Sequence, residues 1–130
     1  MIVLDTHALV WWASGGPLSG RAREAIADHA RSRSLYASSI SVWEIATLVA
    51  RGRLELTLDV VEWVARLEAI ETLRFVPVDN RIALAATRLP GELPRDPADR
   101  VIVATARSLD APLVTRDARL AAYPHVETIW

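Results

Sequence analysis

Neither cysteine nor lysine occurs among the 130 residues. The first absence excludes disulfides and thiolate metal sites. The second excludes any reaction that needs a catalytic lysine, because all 15 basic residues are arginine. No apolar run approaches the roughly 20 residues of a membrane span, and the first residues lack the basic-then-apolar layout of a signal peptide. A cytoplasmic location and no membrane partner are therefore expected. Strong charge of either sign is also missing: the formal net charge is −1, so a nucleic acid would have to be met by a local patch rather than by bulk charge. No glycine-rich phosphate loop appears, which disfavours nucleotide hydrolysis, and no Gly-x-Ser-x-Gly elbow, which disfavours the usual serine hydrolase.

What is present fits one domain over residues 1–130, large enough for its own core. Short apolar runs alternate with helical patterns. Strands are predicted at Ile2–Asp5, Ser34–Ser38, Leu73–Val78, Pro112–Thr115 and, as a last edge, Val126–Trp130. Helices are predicted at Thr6–Ala13, Ser19–Ala30, Ile40–Ala50, Asp59–Ile70, Asp79–Leu89, Pro97–Leu109 and Asp117–Ala122. Ser14–Gly20 and Leu89–Pro97 are dense in turn residues and read as loops. Such alternation implies an α/β fold on a mostly parallel sheet with helices on both faces. Ligands of such sheets sit beyond the carboxyl ends of the strands, where strand order reverses.

Acids occupy the places where that edge should be. Asp5 ends the first strand; Asp117 follows "PLVTR" and Asp79 follows "FVPV". Each also suits a helix N-cap. "RDPADRVIVATA" carries Asp96 and Asp99. Asp96 before Pro97 is a natural cap, and capping explains one of these two acids better than both. Glu44 lies inside "SSISVWEIATLVA", in one row with Ile40 and Leu48, on a helix that is apolar nearly all round. If three or four of these carboxylates converge, they cannot all stay ionised without a cation. Hard oxygen ligands without sulfur suit Mg²⁺ or Mn²⁺ and phosphoryl chemistry. Arg95, Arg100 and Arg116 stand beside the acids, suited either to phosphate or to pairing with their neighbours. His7, His29 and His125 show no ligand spacing, and His7 reads as a helix-surface residue. An aspartyl-nucleophile phosphatase would want a second acid where His7 stands, and a lysine.

Four segments in order, "VLDTHALVW", "SSISVWEIA", "DPADRVIVATA" and "LVTRDARL", resemble the PIN-domain nucleases, and within them the VapC-type toxins of bacterial toxin–antitoxin pairs. The resemblance covers essentially the whole chain. It implies a three-layer α/β/α sandwich with strand order 3-2-1-4-5 and a Mg²⁺- or Mn²⁺-dependent endoribonuclease. It places the acidic quartet on Asp5, Glu44, Asp99 and Asp117. Asp96, Thr6, Ser39 and Thr115 fall on its supporting positions, and its RNA substrate would meet Arg95, Arg100 or Arg116. It further implies a homodimer and a VapB-type antitoxin, with the first helices and the Trp43–Val49 face as much of the surface met by either. Trp11 and Trp12, adjacent on one helix, cannot share a face; ordinary core and boundary packing is expected of them, with one in the core and the other lining an interface as the alternative. That strand order puts the third strand about 10 Å from the first at roughly 4.8 Å per strand, too far for Asp79 to share a metal. The rival from another class is a non-catalytic RNA- or protein-binding module whose acids are only caps.

Overall fold

A computed structural model describes residues 1–92 and 94–130. Its elements run in chain order β1 (Ile2–Leu4), α1 (Thr6–Ser14), α2 (Gly20–Arg31), β2 (Leu35–Ser38), α3 (Ser39–Ala50), α4 (Val60–Glu68), β3 (Leu73–Val76), α5 (Asn80–Thr87), α6 (Pro97–Ser108), β4 (Leu113–Val114), α7 (Ala118–Ala122) and β5 (Thr128–Ile129). Every strand and helix expected from the sequence is present. The differences lie at the ends. β3 stops before Pro77, which has no N–H for the ladder, and β4 and β5 are two residues each. Within the Leu89–Pro97 loop, Leu93 lies outside the described residues.

The five strands form one parallel sheet in the order β3-β2-β1-β4-β5. β1 is central: Ile2, Val3 and Leu4 pair with Leu35, Tyr36 and Ala37 on one side, and Val3 and Leu4 with Leu113 and Val114 on the other. A strand buried on both faces reads as an unbroken apolar run, which is why β1 shows no alternation in sequence. Its side chains still alternate in space. Ile2 and Leu4 join Leu9, Ile26, Leu35, Ile45 and Leu67 on one face, whereas Val3 joins Ile82, Ile102, Val103, Leu113 and Leu120 on the other. These two apolar layers, with the helices outside them, make the α/β/α sandwich.

The chain runs β1 to β3 outward in one direction, then returns to the other side of β1 for β4 and β5. The reversal lies between β1 and β4. Helices begin almost immediately after both strands, so their first residues crowd the carboxyl edge there. The backbone is tied across that edge by Asp5 N–H donating to Val114 O at 3.0 Å.

Candidate active site

Asp5 is buried at this edge, 4% exposed. One oxygen, Oδ1, accepts the Thr6 N–H at 2.8 Å, which begins α1. The other, Oδ2, accepts the Thr115 hydroxyl at 2.6 Å. Thr115 Oγ1 in turn accepts the Asp117 N–H at 3.0 Å. One threonine at the end of β4 therefore holds the acid of β1 and the backbone of the acid that opens α7. Asp117 completes the local turn by accepting the Arg119 N–H at 2.8 Å, with the Arg119 guanidinium 3.5 Å from its second oxygen.

A second relay runs through Thr6. Its hydroxyl donates to Glu44 Oε1 and lies 2.9 Å from Ser41 Oγ. Thr6 has one O–H, so the Ser41 hydroxyl donates to Thr6. Of the supporting residues expected from sequence, Thr6 and Thr115 stand in the site, whereas Ser39 is not brought to it; Ser41 takes that place. The helical period gives the reason. Ser41 is three residues from Glu44 and shares its face, while Ser39, five away, points elsewhere. The neighbouring Ser38 caps α3, accepting the Ile40 N–H at 3.1 Å.

Asp99 enters from α6. The cap of that helix is Asp96, whose Oδ1 accepts the N–H groups of Ala98 at 2.8 Å and Asp99 at 3.3 Å. The Asp99 carboxylate is thus free of capping. Asp5, Glu44, Asp99 and Asp117 line one cavity of about 240 Å³ together with Thr6, His7 and Trp11. Asp79 lies outside it and caps α5, accepting the Ile82 N–H at 2.8 Å.

Crowding of negative charge shows in the proton affinities. Burial, and then the charges of Asp5, Asp96, Glu44 and Asp117, raise the Asp99 carboxyl to about 7. Glu44 is also raised, chiefly by burial. The Thr6 hydroxyl opposes that rise, and Asp5 and Asp96 add to it. Negative side chains that raise one another's proton affinity form a place where a cation would be favourable. The donors are hard oxygens, which fits Mg²⁺ or Mn²⁺ in charge and chemistry. As the side chains are placed, however, no group of three or more His, Asp or Glu residues is arranged to hold an ion among the described residues. Asp5 has both oxygens engaged by hydrogen-bond donors and Glu44 has one.

The arginines separate. Arg100 turns its Nε to the Pro94 carbonyl rather than into the acidic cavity. Arg95 is exposed beside Asp96 and Asp99. Arg116 lays its guanidinium 5.7 Å from the Trp11 ring centre. His7, expected on the helix surface, faces the site instead. Its Nε2 accepts the Arg116 N–H at 3.0 Å, and its Nδ1 is 3.5 Å from Asp5 Oδ2. A neutral ring accepting at Nε2 carries its proton on Nδ1, toward the acid. The signal in sequence was the four-residue spacing of His7 and Trp11, which places both on one face of α1; their rings meet edge-on at 5.1 Å. Trp12 packs, like Trp11, partly buried against the core, which is the ordinary boundary packing expected of the pair.

The PIN domain family pattern matches residues 2–126. Ribonuclease VapC22 of Mycobacterium tuberculosis is 38% identical over 132 residues, covering 99% of this chain and 98% of that protein. Among solved structures, VapBC2 from Rickettsia felis, bound to a promoter DNA fragment, aligns with a TM-score of 0.72 at 18% identity over 98% of this chain and 97% of that one. DNA-bound VapBC from Salmonella typhimurium aligns at 0.69 and 21% identity, with 98% and 97% covered. At those identities the structural likeness concerns the fold.

Proposed function

This chain belongs to the PIN domain family and, within it, to the VapC-type toxins; from that premise we propose that it is an endoribonuclease depending on Mg²⁺ or Mn²⁺ held by Asp5, Glu44, Asp99 and Asp117. The observation that carries the reading is the meeting of four carboxylates from four separate chain segments in one cavity, two of which, Glu44 and Asp99, cap no helix. That counts against the binding-module alternative, in which every acid is a cap.

The chain's own residues would do the positioning. Thr115 fixes Asp5 relative to Asp117, and the Ser41–Thr6 relay fixes Glu44 relative to α1. Asp96 holds the first turn of α6, and with it the height of Asp99. Arg116, exposed and set against the ring of Trp11, which lines the cavity, is a nearby cation suited to a phosphate. A bound divalent ion would supply charge for the phosphodiester and acidify an attacking water.

The same premise supports a VapB-type antitoxin as partner and a homodimer as the assembled form. Trp43 on α3, 62% exposed one position before Glu44, gives either of them an apolar anchor beside the site.

The test is cleavage of RNA by purified protein with Mg²⁺ or Mn²⁺, with and without EDTA, alongside an identically prepared Asp5→Asn variant. Cuts that need the ion and vanish in the variant are expected. Cutting that persists in excess EDTA, or equally in the variant, would overturn the assignment.

A further inference from the structure

A second cavity, of about 460 Å³, lies between Glu92 and Pro94–Asp96 on one side and α7 on the other. It adjoins the acidic site at Asp99, which lines both. Its chemistry is mixed. Arg95 and Arg119 stand at it as cations among the carboxylates of Glu92, Asp96 and Asp99, and Leu120, Tyr123 and Pro124 supply the apolar part of its lining.

Its walls are pinned to one another. The Tyr123 hydroxyl, at the end of α7, donates to Pro90 O at 2.6 Å. The Arg100 side chain, from α6, donates to Pro94 O. Pro90 is thus fastened to α7 and Pro94 to α6. Tyr123 is buried and its hydroxyl is already used, so what it offers a ligand is ring surface. Arg119 pairs with Asp117 at 3.5 Å, but its side chain is 83% exposed. An ion pair that exposed holds an arginine weakly, leaving it available to another anion. Arg95 makes no ion pair among the described residues.

We propose that this cavity receives the nucleotide next to the scissile phosphate, its base or ribose against Leu120, Tyr123 and Pro124 and its own phosphate between Arg95 and Arg119. The proposal rests on the ribonuclease reading and adds where the enzyme reads its substrate. A phosphodiester at the acids carries a nucleoside on each side, and this cavity adjoins the acidic site at Asp99. The volume falls in the range of about 300–1,000 Å³ usual for small-molecule sites. With its one tyrosine hydroxyl engaged and the ring almost covered, recognition would go by shape together with phosphate contact.

The test is an Ala122→Trp variant, which places an indole at an exposed position of the cavity wall, alongside an Arg95→Gln/Arg119→Gln double variant. Binding of a labelled single-stranded oligoribonucleotide is followed by fluorescence anisotropy at several salt concentrations. The cut positions are mapped by sequencing. The expectation is at least tenfold weaker binding by Ala122→Trp and a changed nucleotide preference beside the cut. For the double variant, the salt slope should fall by about 0.7, the share of the one phosphate held between the two arginines. Binding within twofold of wild type in both variants, with an unchanged cut profile, would overturn the proposal. A wild type that binds the oligoribonucleotide but never cuts it would overturn the ribonuclease reading, while the anisotropy comparison would still decide the cavity.

Discussion

Replacing Asp99 by asparagine should make the ion-free protein more stable at alkaline pH, an unusual outcome for a change in an active site. Its carboxyl is raised from 3.8 to about 7, so the native state holds this proton across a window in which the unfolded chain has released it. The state that binds more protons loses ground as pH rises. Stability of the wild type should therefore fall between about pH 4 and pH 7 and level off above, as far as this group is concerned. At 1.36 kcal/mol per unit the ceiling is about 4 kcal/mol. Asp99 is partly exposed, and screening by solvent reduces this to roughly 1–2 kcal/mol. The aspartate also favours the start of α6 through the helix dipole by about 0.5 kcal/mol, which asparagine forfeits. The net gain for Asp99→Asn is about 1 kcal/mol at pH 8, equivalent to about 3–5 °C in melting temperature, with none at pH 4. Urea unfolding in EDTA at both pH values measures it. An asparagine variant no more stable than wild type at pH 8, or one shifted equally at both, would refute the picture of a part-buried carboxylate crowded by other negative charges. Adding Mn²⁺ should stabilise wild type more than the variant, because an ion bound only by the native state raises its stability.

Two comparisons test the hydroxyl relays. Ser41→Ala removes the buried donor to Thr6 and should cost about 1 kcal/mol together with part of the RNA-cleaving activity, whereas Ser39→Ala should stay within about 0.5 kcal/mol of wild type. Equal losses in thermal melts and cleavage assays would return Ser39 to the site. Thr115→Val keeps the side-chain shape but removes the hydroxyl shared by Asp5 and the Asp117 N–H. It should cost about 1–3 kcal/mol and lower activity at saturating RNA; unchanged turnover would mean that Asp5 is held well enough without it.

The strands and helices were legible because their apolar patterns are local. "IVL" announces a buried strand before any partner is known, and Asp59 and Asp79 announce the caps they turn out to be. Strand order is not a local property. It came through the resemblance of four motifs, and the sheet has that order. The roles of hydroxyls were only half legible. Thr6 and Thr115 neighbour an acid in sequence, but the Thr6–Glu44 bond joins residues 38 apart, and the choice between Ser39 and Ser41 depends on how α3 is rotated against α1. Counting from Glu44 around the helix would have favoured Ser41. His7 was missed for a similar reason: a lone histidine on a short helix carries no ligand spacing, and its partner, the Arg116 N–H, arrives 109 residues later.

That late arrival has a consequence for synthesis. β1 leaves the ribosome first, yet one of its two flanking strands is β4 at Leu113–Val114, and the Thr115 hydroxyl reaches back over 110 residues to seat Asp5. A growing polypeptide that has not yet reached these positions lacks one wall of the cavity and one of its four acids. The four-acid cavity therefore assembles only once β4 and Asp117 have been made, and an interrupted translation product ending before Thr115 carries three of the acids without the clasp that seats Asp5.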